Sequence, residues 1–154
     1  MEQQTQRERD ENYMRRALNE ALIALDKGEV PIGAVVVAAN GAIVGRGHNL
    51  VENLCDATAH AELQAITAAT STLGGKYLND CTLYVTVEPC PMCAGAIINS
   101  RIERVVYGAP DHKAGAFGTM INLTDYPLFK PQITSGILSN QCSEILTNFF
   151  KNKR

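Results

Sequence analysis

The sequence predicts an α/β fold with three layers, a mixed sheet of about five strands between helices on both faces. Three observations predict it. Valine-rich runs of strand length alternate with amphipathic stretches of helix length. A strand–helix–strand order between Thr82 and Gly108 implies a parallel pair joined by a right-handed crossover. Asn40-Gly41, set between two apolar runs, implies an antiparallel hairpin. The 154 residues suffice for one domain, taken as 1–154.

In chain order, Met14, Ala17, Leu18, Ala21, Leu22 and Leu25 form one helical stripe over Tyr13 to Leu25, closed by Lys27 and Gly28. Pro31 opens a strand from Ile32 to Ala38. The Asn40-Gly41 turn returns it as a second strand, Ala42 to Gly47. A polar loop, Asn49 to Asp56, leads to a helix over about Thr58 to Leu73, stopped by Gly74-Gly75. Leu63, Ile66, Ala69 and Leu73 are its expected buried face. Thr82 to Val87 alternates as a strand, with Leu83 and Val85 facing one way and Tyr84 the other. Pro89 and Pro91 end it, and proline suits the helix start that follows, over about Met92 to Asn99. Arg104 to Gly108 is the next strand. Ala109 to Phe129 reads as loop. Gln132 to Thr134 gives a short last strand, and Leu138 to Phe149 a last amphipathic helix.

Bulk properties exclude some functions. The net charge of −2 argues against coating nucleic acid by charge alone, while leaving room for a local patch from Arg101, Arg104, Lys113, Lys130, Lys151, Lys153 and Arg154. No run of 18 apolar residues is present, so no membrane helix is expected. Met1 to Asn12 lacks the apolar centre of a secretion signal, which points to a cytoplasmic protein. Five cysteines, an odd number without such a signal, favour metal or thiol chemistry over a disulfide framework. Cys55, Cys81 and Cys142 are expected as buried or half-buried thiols.

Chemistry concentrates at Thr58-Ala59-His60-Ala61-Glu62 and at Thr86-Val87-Glu88-Pro89-Cys90-Pro91-Met92-Cys93. Cys90 and Cys93, three apart at the mouth of a helix, can aim both sulfurs at one point. Two thiolates and the His60 imidazole suit zinc, and three protein ligands leave a fourth position open. Glu62 lies about 200° from His60 on a regular helix, so it is read as a proton shuttle rather than a fourth ligand. Cys-x-x-Cys alone would equally suit a redox pair or half of a structural zinc site, and His112 could complete a closed site.

These residues resemble the cytidine deaminase-like zinc deaminase superfamily, and within it the bacterial tRNA-specific adenosine deaminases. The resemblance runs nearly end to end, through Glu29-Val30-Pro31-Ile32-Gly33-Ala34-Val35, both stretches above, Ser100-Arg101-Ile102, and Gly136-Ile137-Leu138 with Phe149-Phe150. The signature and mechanism that follow are established features of that superfamily, not something the spacing shows. The resemblance implies one zinc per subunit held by His60, Cys90 and Cys93. It implies hydrolytic deamination of adenosine to inosine at the wobble position of tRNA, by zinc-activated water with Glu62 moving protons. It also implies substrate contacts from Asn49 and Asp111, an anticodon stem-loop as partner, and a homodimer. A loop-capping role for Asp111 stands beside the functional one.

Two departures stand out. Ala57 replaces a usual proline. Pro127-Leu128-Phe129-Lys130 replaces a Phe-Asn-His-Arg-like segment whose asparagine helps hold the nucleotide. Phe129 could stack on a base instead. Two rival functions follow: deamination of a free base, guanine or cytosine, and a non-catalytic zinc-binding partner subunit. Glu62 argues against the second, because a purely structural zinc needs no proton shuttle.

Overall fold

The computed structural model describes residues 3–153. Five strands form one sheet in the order β2-β1-β3-β4-β5: β1 (Gly33–Val37), β2 (Ile43–His48), β3 (Thr82–Val87), β4 (Arg104–Ala109) and β5 (Gln132–Thr134). β1 is antiparallel to both β2 and β3, while β3, β4 and β5 run parallel. The sheet is mixed, as the sequence predicts. The five α-helices are α1 (Gln6–Asp26), α2 (Val51–Leu54), α3 (Ala61–Leu73), α4 (Pro91–Asn99) and α5 (Ser139–Asn152). None is long and apolar enough to cross a membrane among the described residues.

Two cores lie on opposite faces of the sheet. Leu83 and Val85 pack with Ala61, Ala65 and Ala69 of α3 and Ala94 and Ile97 of α4. Tyr84 points the other way, to Met14 and Ala17 of α1 and Cys142 of α5. The alternation read along β3 is therefore the alternation observed.

Several boundaries differ from expectation, each for a local reason. α1 begins seven residues before Tyr13, at Gln6, because Thr5 and Glu8 form a capping box. The Thr5 hydroxyl accepts from the Glu8 amide at 3.1 Å, and the Glu8 carboxylate accepts from the Thr5 amide at 3.3 Å. α3 begins at Ala61 rather than Thr58, because Asp56 holds Thr58 in a turn, accepting from its amide at 2.8 Å and its hydroxyl at 2.7 Å. The loop after Asn49 contains the short helix α2.

Both long helices also bury a smaller face than their leucines suggest. α1 turns Met14, Ala17, Ala21 and Ala24 inward and leaves Leu22 and Leu25 exposed. α3 turns Ala61, Ala65 and Ala69 inward with Ile66, and Leu73 is exposed. The reason lies in the strand that each helix covers: at Gly33 of β1 a Cβ would collide with the Ala17 carbonyl oxygen and the Ala21 amide of α1, and β2 meets α3 in the same way. A Cβ at Gly47 would collide with the Ala61 carbonyl oxygen and the Ala65 amide, and one at Gly45 with the Ala65 carbonyl. Glycine on the strand and alanine on the helix let two backbones approach where leucine has no room.

Two other expectations change. Cys81 and Cys142 are buried but Cys55 is exposed, ending α2 at φ 50°. Arg104 is no part of a basic surface: it forms an ion pair with buried Asp10 at 2.6 Å. Arg154 of the same expected patch lies outside the described residues, as do Met1 and Glu2 of the polar leader.

Candidate active site

Four strand ends converge at one edge of the sheet. Gly33 opens β1 opposite His48, which closes β2; Val87 closes β3 beside Ala109, which closes β4. The segments leaving these ends line a cavity of about 300 Å³: Ile32 before β1, Asn49 after β2, Glu88 and Cys90 after β3, Asp111 after β4. His60 and Glu62 enter it from the start of α3. That size is at the small end for ligand sites. The carboxyl ends of parallel strands are where such folds place them.

His60 and Cys90 are the N-cap residues of α3 and α4, with extended backbones (ψ 155° and 173°), and neither side chain makes a capping bond. Each is thereby free to turn off its helix end. Cys93 lies one turn into α4, fully buried. His60 Nδ1 stands 3.7 Å from Cys90 Sγ and 3.4 Å from Cys93 Sγ. Zinc bond lengths and a tetrahedral angle require an N···S separation of about 3.5 Å, which both distances match, and the three ligand atoms all lie within 4.8 Å of one another. Among the described residues no further His, Cys, Asp or Glu joins this group. His112 does not close it, and one coordination position stays free of protein.

The electrostatics suit a cation. A hydrogen bond from the Cys93 thiol pulls the Cys90 thiol down to about 4 against the opposing effect of burial, with further help from His60. Cys93 moves the other way, pushed up by its bond to the Cys90 thiolate and by burial. His60 is raised, chiefly by its hydrogen bond with Cys90. A cation placed among these three groups would favour their deprotonated, metal-binding forms. The Glu62 carboxyl, 4% exposed, is pushed up to about 7, first by burial, with its own backbone amide and His60 opposing.

Asn49 is buried, and its Oδ1 is the one buried side-chain oxygen without a hydrogen-bond partner among the described residues. An orphaned acceptor in a cavity wall is costly unless a ligand supplies the donor. Asp111 both lines the cavity and caps its own loop, its Oδ1 accepting from the Lys113 and Ala114 amides at 2.9 and 3.1 Å. The capping alternative is therefore present in the structure. Leu128 is exposed, Phe129 half-buried, and neither lines the cavity.

Two further buried carboxylates in the wall stand outside the sequence reading. Glu29, fully buried, accepts from the Glu52 amide at 3.0 Å and the Asn53 amide at 2.7 Å. Burial would raise its carboxyl, but the Asn53 side chain and these amides outweigh that and hold it below the ordinary glutamate value. Glu88 is the other, and each had one available signal: an acidic residue at the edge of an apolar strand run.

Comparison with known families settles the class. Residues 7–109 match the model of the cytidine and deoxycytidylate deaminase zinc-binding region. The chain belongs to this deaminase family. Its zinc is the one that His60, Cys90 and Cys93 fit. Among deaminases, the chain is 50% identical over 147 residues to the tRNA-specific adenosine deaminase of Bacillus subtilis, covering 94% of this chain and 91% of that one. It is 44% identical to that of Aquifex aeolicus, covering 94% and 95%. A solved deaminase structure from work on A-to-I editing by tRNA:A34 deaminases superposes with a TM-score of 0.84 at 42% identity, covering 88% of this chain and 99% of that one. Guanine deaminase from Bacillus subtilis superposes less closely, at 0.61 and 32%, covering 92% and 93%.

Proposed function

We propose that this deaminase converts adenosine to inosine at the wobble position of a tRNA anticodon. The single observation behind the substrate is the likeness to tRNA-specific adenosine deaminases over nearly the whole chain. The observation behind the chemistry is Glu62 beside a three-ligand site in one cavity.

His60, Cys90 and Cys93 would hold zinc, which when bound would acidify a water within the cavity. Glu62 would accept a proton from the attacking water and deliver it to the purine ring, then help protonate the departing ammonia. Overall, adenosine and water give inosine and ammonia. A carboxyl poised near neutrality, as burial makes Glu62, both accepts and returns a proton at physiological pH. Asn49 Oδ1 accepts an N–H of the base, which satisfies the orphaned oxygen. Asp111 lies against the nucleotide strand. The active form is a homodimer, a reading supported by exposed Leu54 and Met92, which neighbour cavity residues Glu52 and Cys90 in the chain. A cytoplasmic location follows in this reading from the substrate alone.

The test is incubation of zinc-loaded protein with an anticodon stem-loop bearing adenosine at the wobble position, followed by nucleoside chromatography. Inosine and equimolar ammonia are expected. The likeness to guanine deaminase favours one second reading, free-base deamination. Ammonia from guanine with none from the stem-loop would replace the first reading by the second. Sedimentation of the purified protein tests the dimer.

A further inference from the structure

Glu88 is 2% exposed at the end of β3, two residues before Cys90. The ion pairs among the described residues are Arg104 with Asp10 and His48 with Glu20, so no cation offsets it. An isolated buried carboxylate is costly unless hydrogen bonds replace its water. Here they do, and all come from one segment. Oε1 accepts from the Asp111 amide at 3.1 Å and from the Thr119 hydroxyl. Oε2 accepts from the Phe117 and Thr119 amides at 3.0 and 3.2 Å. Every acceptor site of the carboxylate is used.

The segment is wrapped closely around this group. A Cβ at Gly115 would collide with the Glu88 carboxylate. The Ala116 amide donates to the Pro89 carbonyl at 2.9 Å, and the Glu88 amide to the Ala109 carbonyl at 2.9 Å. The turn that carries Cys90 and the loop that carries Asp111 are therefore tied together at one side chain. Glu88 and Asp111 line the cavity from the β3–β4 side, across β1 from Asn49 at the end of β2.

We propose that Glu88 is a positioning residue for substrate binding: it holds the 111–119 loop and so fixes Asp111 in the cavity wall across from Asn49. The inference rests on the reading of this cavity as the deaminase active site. It assigns Glu88 no proton and no metal.

Glu88→Gln tests it with the same shape. Glutamine keeps one acceptor oxygen and replaces the other by a donor. At the Oε2 position that donor would face two amides, which cannot turn. At the Oε1 position the Thr119 hydroxyl can rotate and accept from it, leaving only the Asp111 amide unpaired. The expected result is a KM for the stem-loop raised about tenfold, the loss of one charge-assisted hydrogen bond. Zinc stays at one per chain and kcat changes by less than about threefold. Thr119→Val, which removes the hydroxyl donor and keeps its shape, should raise KM in the same direction by a smaller factor. Unchanged KM in folded, zinc-loaded Glu88→Gln overturns the proposal, as does a fall in kcat with KM unchanged. If Glu88→Gln does not fold, an unchanged KM in Thr119→Val overturns it. Wild-type protein in the same assay separates the two ideas. Its failure on the stem-loop sinks the wobble reading, and the variant-to-wild-type KM ratio is then measured on free guanine.

Discussion

His60 and Cys90, thirty residues apart, occupy the same position on two different helices, the N-cap, and their Nδ1 and Sγ atoms stand 3.7 Å apart. N-caps usually hold serine, threonine, aspartate or asparagine, whose oxygens satisfy free amides of the first turn. Here both positions forgo that bond. What they gain is a shared point off two helix ends, where the partial positive charge of the helices favours thiolate.

Removing a ligand should therefore cost metal and fold together. Cys90→Ala is expected to bind less than about a tenth of the wild-type zinc at equal free metal, since one of three ligands is gone. Its Tm should match that of chelator-treated wild type. Elemental analysis and a thermal melt check both, and a fully zinc-loaded variant would refute the ligand assignment.

Glu62→Gln should separate binding from chemistry. Glutamine fits the same buried space but cannot take a proton. Zinc content should be unchanged and kcat should fall about 10²–10⁴-fold. Single-turnover kinetics on the stem-loop measure this, and an unaltered rate would remove Glu62 from the mechanism.

Zinc retention should fall as pH falls. The imidazole must be neutral to bind, and His60 is raised above its ordinary value through its bond with Cys90. Protons thus compete at higher pH than they would for an unperturbed histidine. Zinc retained after gel filtration should be complete near pH 8 and decline on acidification, the decline setting in above the unperturbed histidine value of about 6.5. A flat profile down to pH 5 would contradict this.

On the opposite face, Asp10 should matter for stability without touching the chemistry. Burial raises its carboxyl, but hydrogen bonds from Arg104, Tyr84 and Gln6 outweigh that and hold it below the ordinary aspartate value. A lowered folded value means the stabilisation is complete above the unfolded value of about 3.9 and is lost as pH falls through the folded one. Arg104→Met strands a buried carboxylate and should cost about 3 kcal/mol at pH 7. In Asp10→Asn the acid dependence should flatten. Urea melts at pH 7 and pH 3 check both.

Gly47→Ala probes the contact that seats α3. The added methyl would meet the backbone of Ala61 and Ala65, so α3 must move away from β2. A cost of about 1–3 kcal/mol is expected. Because His60 and Glu62 sit at the start of α3, kcat should fall with stability. Urea melts and stem-loop kinetics measure the two effects, and a variant as stable and active as wild type would show that the contact is not needed.

Much of this was legible in the residues. The β3 alternation and the β5 limits were read directly, because strand periodicity is local. His60, Cys90 and Cys93, which the structure brings together, stand out in the sequence because zinc demands particular atoms at particular spacings. The start of α1 was missed although Thr5-Gln6-Arg7-Glu8 spells a capping box, since a polar leader draws attention to what it lacks. The faces of α1 and α3 were misjudged because leucine outranks alanine in hydrophobicity. Which face is buried is decided instead by Gly33 for α1 and by Gly45 and Gly47 for α3, a tertiary constraint with no local trace. Glu29 and Glu88 escaped for the same reason: their partners lie 23 to 31 residues away.

The layout of the two outer layers has a practical consequence for anyone attaching this protein to something else. The Tyr13 hydroxyl bonds the Gly41 carbonyl at 2.8 Å, so the early turns of α1 lie by the β1–β2 hairpin, at the far end of β1 from the cavity. The last turns of α5 lie near Lys113, in the loop that Glu88 holds. A tether or fused module placed ahead of α1 leaves the cavity mouth clear. One placed behind α5 starts beside Lys113, in the loop that Glu88 holds, and bears on the side of the site that carries Asp111.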